Sequence, residues 1–434
     1  MKTFFRVSLF VVILFSCFPA YPQYCNTCRF TEKPVFSDNE IDSSMKVVYG
    51  VAADWQRINK ELKFNVFYPK FSLDTLQVRP FVMLMHGGSF LTGSLDELNF
   101  FCREFAMRGY VAATIEYRVG WDYLPDCNGD TVTLANAVYR AMQDCHAALR
   151  YFVANFQSYR IDTATMFIGG ESAGAYATVD LAFVSQQEIN GLYPWCQPLL
   201  GNLNASGNTL TNSFTVKGLF HNWGSIINLG FLINLGFLTP GDAVPMVAFA
   251  GAQDTISHID SGYYQNCSNY PMDWGTRSIY NRLVSFGVCA DLTVKEDGGH
   301  GVYNHTPGQK LFRIGRACCF FKSLFCHDCV TWYSTDSVAP ACSDKYLNTA
   351  VDNRGTNPLI EISPNPAGSH VMIRTRDPEL AGSPVTIFDS MGRVIHSSRL
   401  DGLSVTLDTS NLAEGVYFVL VNHFAGTNLI IIRH

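Results

Sequence analysis

The stretch FIGGESAGAYATVD, residues 167–180, sets a serine between two glycines at the junction of an apolar run and an alanine-rich run. Glycine lowers local order, so its place on both sides of Ser172 marks backbone passing where a Cβ cannot. The pattern Gly170-Glu171-Ser172-Ala173-Gly174 is G-x-S-x-G, in which a strand turns sharply into a helix and leaves the serine oxygen exposed. MFIG before it reads as the strand and the alanine-rich run after it as the helix, which is the context the motif demands. The turn also implies the fold, because it sits at the end of a buried parallel strand that feeds a helix.

Reading outward, strand-like and helix-like periods alternate from about residue 45 to 325. KVVYG, KFNVFYP, PFVMLMHGG, YVAATIEYR, MFIGG, VKGLFHN, VPMVAFAG and DLTVKEDGG read as strands. Between them Val138, Met142, Cys145, Leu149, Phe152 and Phe156 recur at helical spacing. Strands alternating with helices predict an α/β domain whose mostly parallel central sheet is covered on both faces. Functional groups then gather at the carboxyl ends of the strands.

His86-Gly87-Gly88-Ser89-Phe90 follows the apolar run PFVMLM. Acyl transfer needs donors for a developing oxyanion, and glycines let backbone N–H groups approach it. Gly87, Gly88 and Ala173, the residue after the serine, are the expected donors. Serine also needs a base, itself held by an acid, in the chain order serine, acid, histidine. VPMVAFAGAQDTISH presents Asp254 after a strand, and DLTVKEDGGHGVYNH presents His300 between two glycines. Asp260 competes for the acid's role, and His258 and His305 for the base's, but they fit order and strand ends less well. His86 reads as a hydrogen bonder that fixes its loop, and His221 and His327 as structural. Phe90, Tyr176 and Trp223 suit either an acyl pocket or the core. No cofactor and no metal is required.

HGGSF, GYVAATIEYR, QDCHAALRYFVANFQSYRID and GGESAG together resemble the α/β-hydrolase serine esterases, of the carboxylesterase and hormone-sensitive-lipase-like groups, over residues 45–310. The resemblance implies ester hydrolysis through an acyl-enzyme, with Ser172, Asp254 and His300 as the triad. Ser89 stands where many relatives carry a third small glycine, Ala175 where many carry glycine, and Glu171 follows the carboxylesterase form. A serine peptidase on the same fold and a non-catalytic adhesion module are the other readings. The substrate expected is a small or polymer-attached ester, whether acetyl, feruloyl, short-chain lipid or polyester.

The 434 residues suit a large domain and a small one. Residues 1–20 read as a secretory signal: Lys2 and Arg6 precede an apolar run, and Ala20 would be the last residue removed. LFSC at 14–17 is close to a lipoprotein box, with Phe15 a poor fit. The catalytic domain is expected over 30–335, a polar linker over 336–357, and a small β-sandwich over 358–434. ISPNPAGSHVMI, TIFDSMGRVI and LAEGVYFVLV in that last segment resemble a type IX secretion sorting domain of the cleavable, type A kind. The partner implied is the type IX machinery and the destination the outer surface or beyond. A net charge of −6 without a basic face argues against nucleic acid. INLGFLINLGFL at 227–238, a tandem six-residue duplication, is too short to span a bilayer.

Thirteen cysteines after Cys17 fit an oxidising destination. Cys25-x-x-Cys28 and Cys326-x-x-Cys329 are spaced for zinc, but with an export signal disulfides are the stronger reading. The odd count leaves at least one thiol free.

Overall fold

A computed structural model describes residues 22–25, 27–227, 238–335, 360–375, 378–389, 394–421 and 424–433. The signal segment, the linker, nearly all of the tandem duplication and Gly392-Arg393 lie outside the described residues.

Twelve strands belong to the first 335 residues: β1 (Ile41–Ala53), β2 (Asn59–Pro69), β3 (Arg79–Met85), β4 (Val111–Ile115), β5 (Ile161–Glu171), β6 (Val216–Asn222), β7 (Ser225–Ile227), β8 (Met246–Gly251), β9 (Ser261–Tyr263), β10 (Met272–Gly275), β11 (Ala290–Lys295) and β12 (Trp332–Thr335). Nine form one sheet in the order β1-β2-β4-β3-β5-β6-β8-β11-β12. β1 pairs with β2, and β2 with β4, antiparallel; every later pairing is parallel. β3, β4 and β8 are buried along their whole length, which is why they read as unbroken apolar runs. This is the α/β-hydrolase fold expected from the sequence.

Helices cover both faces. The helix Thr131–Ala154 starts where the Asp130 carboxylate accepts the N–H groups of Val132 and Thr133, at 3.0 and 3.3 Å. With Ala173–Phe183 and Thr276–Ser285 it closes one core, which holds Phe64, Phe81, Met142 and Ile168. On the other face Asn99–Met107 and Pro307–Phe325 close a core around Val82, Leu84, Phe105 and Phe321. Two features were not read from the sequence. β12 extends the sheet at its edge beside β11, and β7, β9 and β10 form a separate antiparallel sheet in the order β7-β10-β9. All four have only three or four residues, too few to show a period.

The C-terminal strands are β13 (Ile360–Ser363), β14 (His370–Thr375), β15 (Pro384–Phe388), β16 (Val394–Arg399), β17 (Ser404–Asp408), β18 (Gly415–Val421) and β19 (Phe424–Ile432). They form sheets β13-β14-β17 and β16-β15-β18-β19. Val371, Ile373 and Leu407 of one meet Val385, Ile387 and Val419 of the other in a shared core, a small β-sandwich.

Disulfides join Cys25 to Cys326, Cys127 to Cys267 and Cys289 to Cys329. Cys25 and Cys326 thus pair across the two C-x-x-C motifs while Cys329 pairs with Cys289, so the four cysteines are not gathered at one centre. Cys28 keeps an exposed thiol, and Cys102, Cys145, Cys196 and Cys318 keep buried ones.

Candidate active site

Four strand ends converge. β5 ends at Glu171, and Ser172 follows with φ 51° and ψ −121°, as N-cap of the helix Ala173–Phe183. That left-handed backbone is the strained turn expected of the motif. The glycines explain how it closes. A Cβ on Gly170 would lie 2.4 Å from the Gly174 backbone, and one on Gly174 would lie 2.2 Å from the Met85 carbonyl oxygen. The strand, the turn and the helix approach too closely for any side chain at either position. The Ser172 N–H donates to the Asn222 carbonyl at 3.0 Å, which ties the turn to β6.

Asp254 follows β8 and His300 follows β11. The imidazole bridges the other two side chains: Nδ1 lies 2.7 Å from Asp254 Oδ2 and Nε2 lies 2.9 Å from Ser172 Oγ. Asp254 is buried, and its Oδ1 accepts the N–H groups of Ile256 and Ser257 at 2.8 and 2.9 Å. Its carboxylate is thus oriented on both oxygens. The three residues selected by chain order meet in space across 128 and 46 residues of chain. The competitors lie elsewhere. Asp260 forms a surface ion pair with Arg277, the His305 N–H bonds to Gln309, and the His258 ring packs against Gly262.

The loop after β3 is held from behind. The Tyr117 hydroxyl donates to the His86 carbonyl at 2.9 Å, and His86 Nδ1 lies 2.8 Å from the Gly87 carbonyl oxygen. Peptide planes are trans, so the N–H groups of Gly87 and Gly88 point opposite those engaged carbonyls. His86 is buried and stacked on Tyr117, and burial holds its pKa below the ordinary imidazole value. It acts as the loop-fixing residue expected. Gly88 has φ +108°, and a Cβ there would meet the Thr92 carbonyl oxygen at 2.2 Å. Gly87 lies beside the serine, with the place of its Cβ 3.2 Å from Ser172 Cβ. Ser89, the departure from the third glycine, takes φ 54°, and its carbonyl accepts Trp121 Nε1–H at 3.0 Å. Ala173 is the first residue of its helix, so its N–H has no partner within that helix.

Phe90, Tyr176 and Trp223 are all buried, which resolves their two readings toward the core. The Tyr176 hydroxyl donates to Asp273 Oδ2 at 2.5 Å and lies 3.1 Å from Ser257 Oγ, linking the helix after Ser172 to the Asp254 loop. Burial raises the Asp273 carboxyl to about 8.

Sequence reasoning passed over Asn222, Asp273 and Arg313. Arg313 left one trace: with Ala317 and Phe320 it falls on a single stripe of its helix, and all three are buried. Its guanidinium reaches Glu171 Oε1 at 2.9 Å, Asn222 Oδ1 at 2.9 Å, the Tyr303 carbonyl at 3.0 Å and Asn304 Oδ1 at 2.5 Å.

An α/β-hydrolase sheet with a serine, a histidine and an aspartate joined at its strand ends defines the class. Residues 65–224 match the BD-FAE family model, and residues 361–433 match the model of the secretion system C-terminal sorting domain. Residues 65–224 thus lie in an esterase-like α/β-hydrolase domain, and the C-terminal sorting domain marks the chain for type IX secretion and the outer surface. The neuroligin-like protein glit-1 of Caenorhabditis elegans is 29% identical over 115 residues, 26% of this chain and 15% of that protein. The match thus spans well under a fifth of that relative's length. Among solved structures, the propionate-bound esterase Est2 of Thermogutta terrifontis is 17% identical with a TM-score of 0.43, covering 65% of this chain and 93% of that one. Esterase B of Lactobacillus rhamnosis is 14% identical at a TM-score of 0.43, covering 67% and 88%. A Rhizomucor miehei esterase is 15% identical at 0.42, covering 66% and 85%.

Proposed function

We propose that this chain is a secreted serine esterase that hydrolyses carboxylic esters through an acyl-enzyme. Ser172 Oγ bonds to the ester carbonyl carbon while His300 Nε2 takes its proton. The oxyanion that forms accepts hydrogen bonds from the N–H groups of Gly87, Gly88 and Ala173. On collapse the alcohol leaves with the proton from His300. Water then attacks the acyl-enzyme, His300 again takes a proton and returns it to Ser172, and the carboxylic acid departs. Asp254 orients the imidazole and stabilises its charged form. One observation carries the reading: a single imidazole within hydrogen-bond distance of both Ser172 and Asp254, beside a serine held in left-handed backbone.

Ser172→Ala removes the nucleophile without adding volume, so turnover of p-nitrophenyl acetate is lost while the fold persists. Activity retained in a clean Ser172→Ala preparation refutes the assignment. A fluorophosphonate probe labels the parent chain at Ser172, and failure to label favours a non-catalytic module. Comparing p-nitrophenyl esters of rising chain length, methyl ferulate and acetylated xylan with aminoacyl anilides separates the ester classes from one another and from peptides.

A further inference from the structure

We propose that Arg313 is a positioning residue that sets the reach of His300 to Ser172, a role that rests on the esterase reading of the site. Arg313 is fully buried on the helix Pro307–Phe325, and none of its three guanidinium nitrogens lacks an acceptor. Those acceptors lie on three separate segments, each of which holds one part of the site.

The first is Glu171, the residue before the nucleophile, bound at 2.9 Å. The second is Asn222, whose side chain takes Arg313 Nη1–H and donates to the Gly170 carbonyl at 3.0 Å, while its own carbonyl accepts the Ser172 N–H. The third is the segment just beyond the histidine, through the Tyr303 carbonyl and Asn304 Oδ1. Asn304 returns a hydrogen bond to Glu171 Oε2 at 3.4 Å and closes the loop of contacts. The guanidinium carbon also lies 4.6 Å from the Phe101 ring centre and 4.5 Å from that of Trp223. Trp223 in turn packs edge-on against the His300 ring, with centres 6.4 Å apart.

A buried ion pair is weak as a source of stability, because removing two charges from water offsets most of their attraction. Its distinctive effect here is geometric: a planar fork can hold three loops at fixed spacing, which an apolar side chain cannot. Nucleophile and base must keep their distance to within a fraction of an ångström, and a misplacement of about 1 Å costs on the order of 10²-fold in rate.

The test uses Arg313→Lys, which keeps charge and loses the fork, and Arg313→Met, which keeps the stem alone. Asn304→Ala, which leaves Arg313 in place, is the third variant. Each is checked for folding by circular dichroism, followed by fluorophosphonate labelling rates, steady-state kinetics and a crystal structure. In both Arg313 variants labelling and kcat fall together by about 10²-fold while KM stays within about threefold. In Asn304→Ala they fall by about three- to tenfold. In crystals of Arg313→Met, His300 Nε2 and Ser172 Oγ stand beyond hydrogen-bond reach, roughly 3.5 Å. A folded Arg313 variant that labels within about twofold of the parent rate overturns the proposal. An unchanged His300–Ser172 contact in the Arg313→Met crystals overturns it as well. If neither Arg313 variant folds, Asn304→Ala decides, and a parental rate there overturns it. A parent chain that does not label, with the contact lengthened in Arg313→Met, instead defeats the esterase reading and leaves the positioning role standing.

Discussion

At the scale of single residues, Asp273 shows how burial couples to proton binding. Its carboxyl is wholly buried, Oδ2 accepts a hydrogen bond from the Tyr176 hydroxyl, and Oδ1 has no hydrogen-bond partner among the described residues. Burial, with the nearby Asp254 charge as a smaller cause, raises its pKa to about 8. An aspartate in the unfolded chain titrates near 3.9. Between about pH 4 and pH 8 the folded chain therefore holds a proton that the unfolded chain has released. The stability contributed by Asp273 alone is therefore lost as pH rises through that window. Asp273→Asn removes the titration and nearly preserves the shape, so its melting temperature gains on the parent from pH 5 to pH 8. Parallel melting curves across that range contradict this account.

At the scale of elements, the turn at Ser172 and the loop after β3 depend on glycine for different reasons. An alanine at 174 places its Cβ 2.2 Å from a backbone carbonyl that cannot yield. Gly174→Ala is expected to destabilise the chain by at least the roughly 3 kcal/mol at the upper end of typical overpacking costs. At 87 the nearest atoms stand at 3.2 Å, a distance that small shifts can relieve, and one of them is Ser172 Cβ. Gly87→Ala is expected to melt near the parent while its kcat falls by about 10²-fold, because the shift displaces Ser172 and the proposed oxyanion donors. Calorimetry beside kinetics distinguishes the two. The disulfide Cys127–Cys267 acts on elements too. It joins the segment after Trp121, which holds the Ser89 carbonyl, to the segment between β9 and β10, across 140 residues. The double variant Cys127→Ala/Cys267→Ala is expected to lose about 2–4 kcal/mol in denaturant titration, and no loss shows that packing alone holds the two segments.

Across the whole molecule, two histidines on different parts of the large sheet domain, His221 buried and His146 half-buried, weaken the fold towards acid. His146 on the long helix and His221 on β6 are both pushed down to about 4 by burial. The unfolded chain protonates such rings near 6.5. As pH falls from about 6.5 to about 4, the unfolded state takes up protons that the folded state refuses, and stability is lost over that interval. The melting temperature is expected to drop through this range, and His146→Gln to make the drop shallower. A midpoint that is flat from pH 6.5 to 4.5 contradicts the assignment.

The amino-acid order alone determined the α/β class, the β-rich C-terminal segment, the sharp turn at Ser172, and the chain order in which Ser172, Asp254 and His300 follow strand ends. Those features are local, because they rest on periodicity, glycine placement and the residue that follows a strand. Only the tertiary structure decided that Ser172, Asp254 and His300 share one imidazole, which cysteines pair, and that Phe90, Tyr176 and Trp223 are core. The same holds for Arg313: its acceptors Glu171 and Asn222 are 142 and 91 residues away. Contacts between segments so distant leave no period or motif in the chain, since the sheet that brings them together is formed by strands out of sequence order.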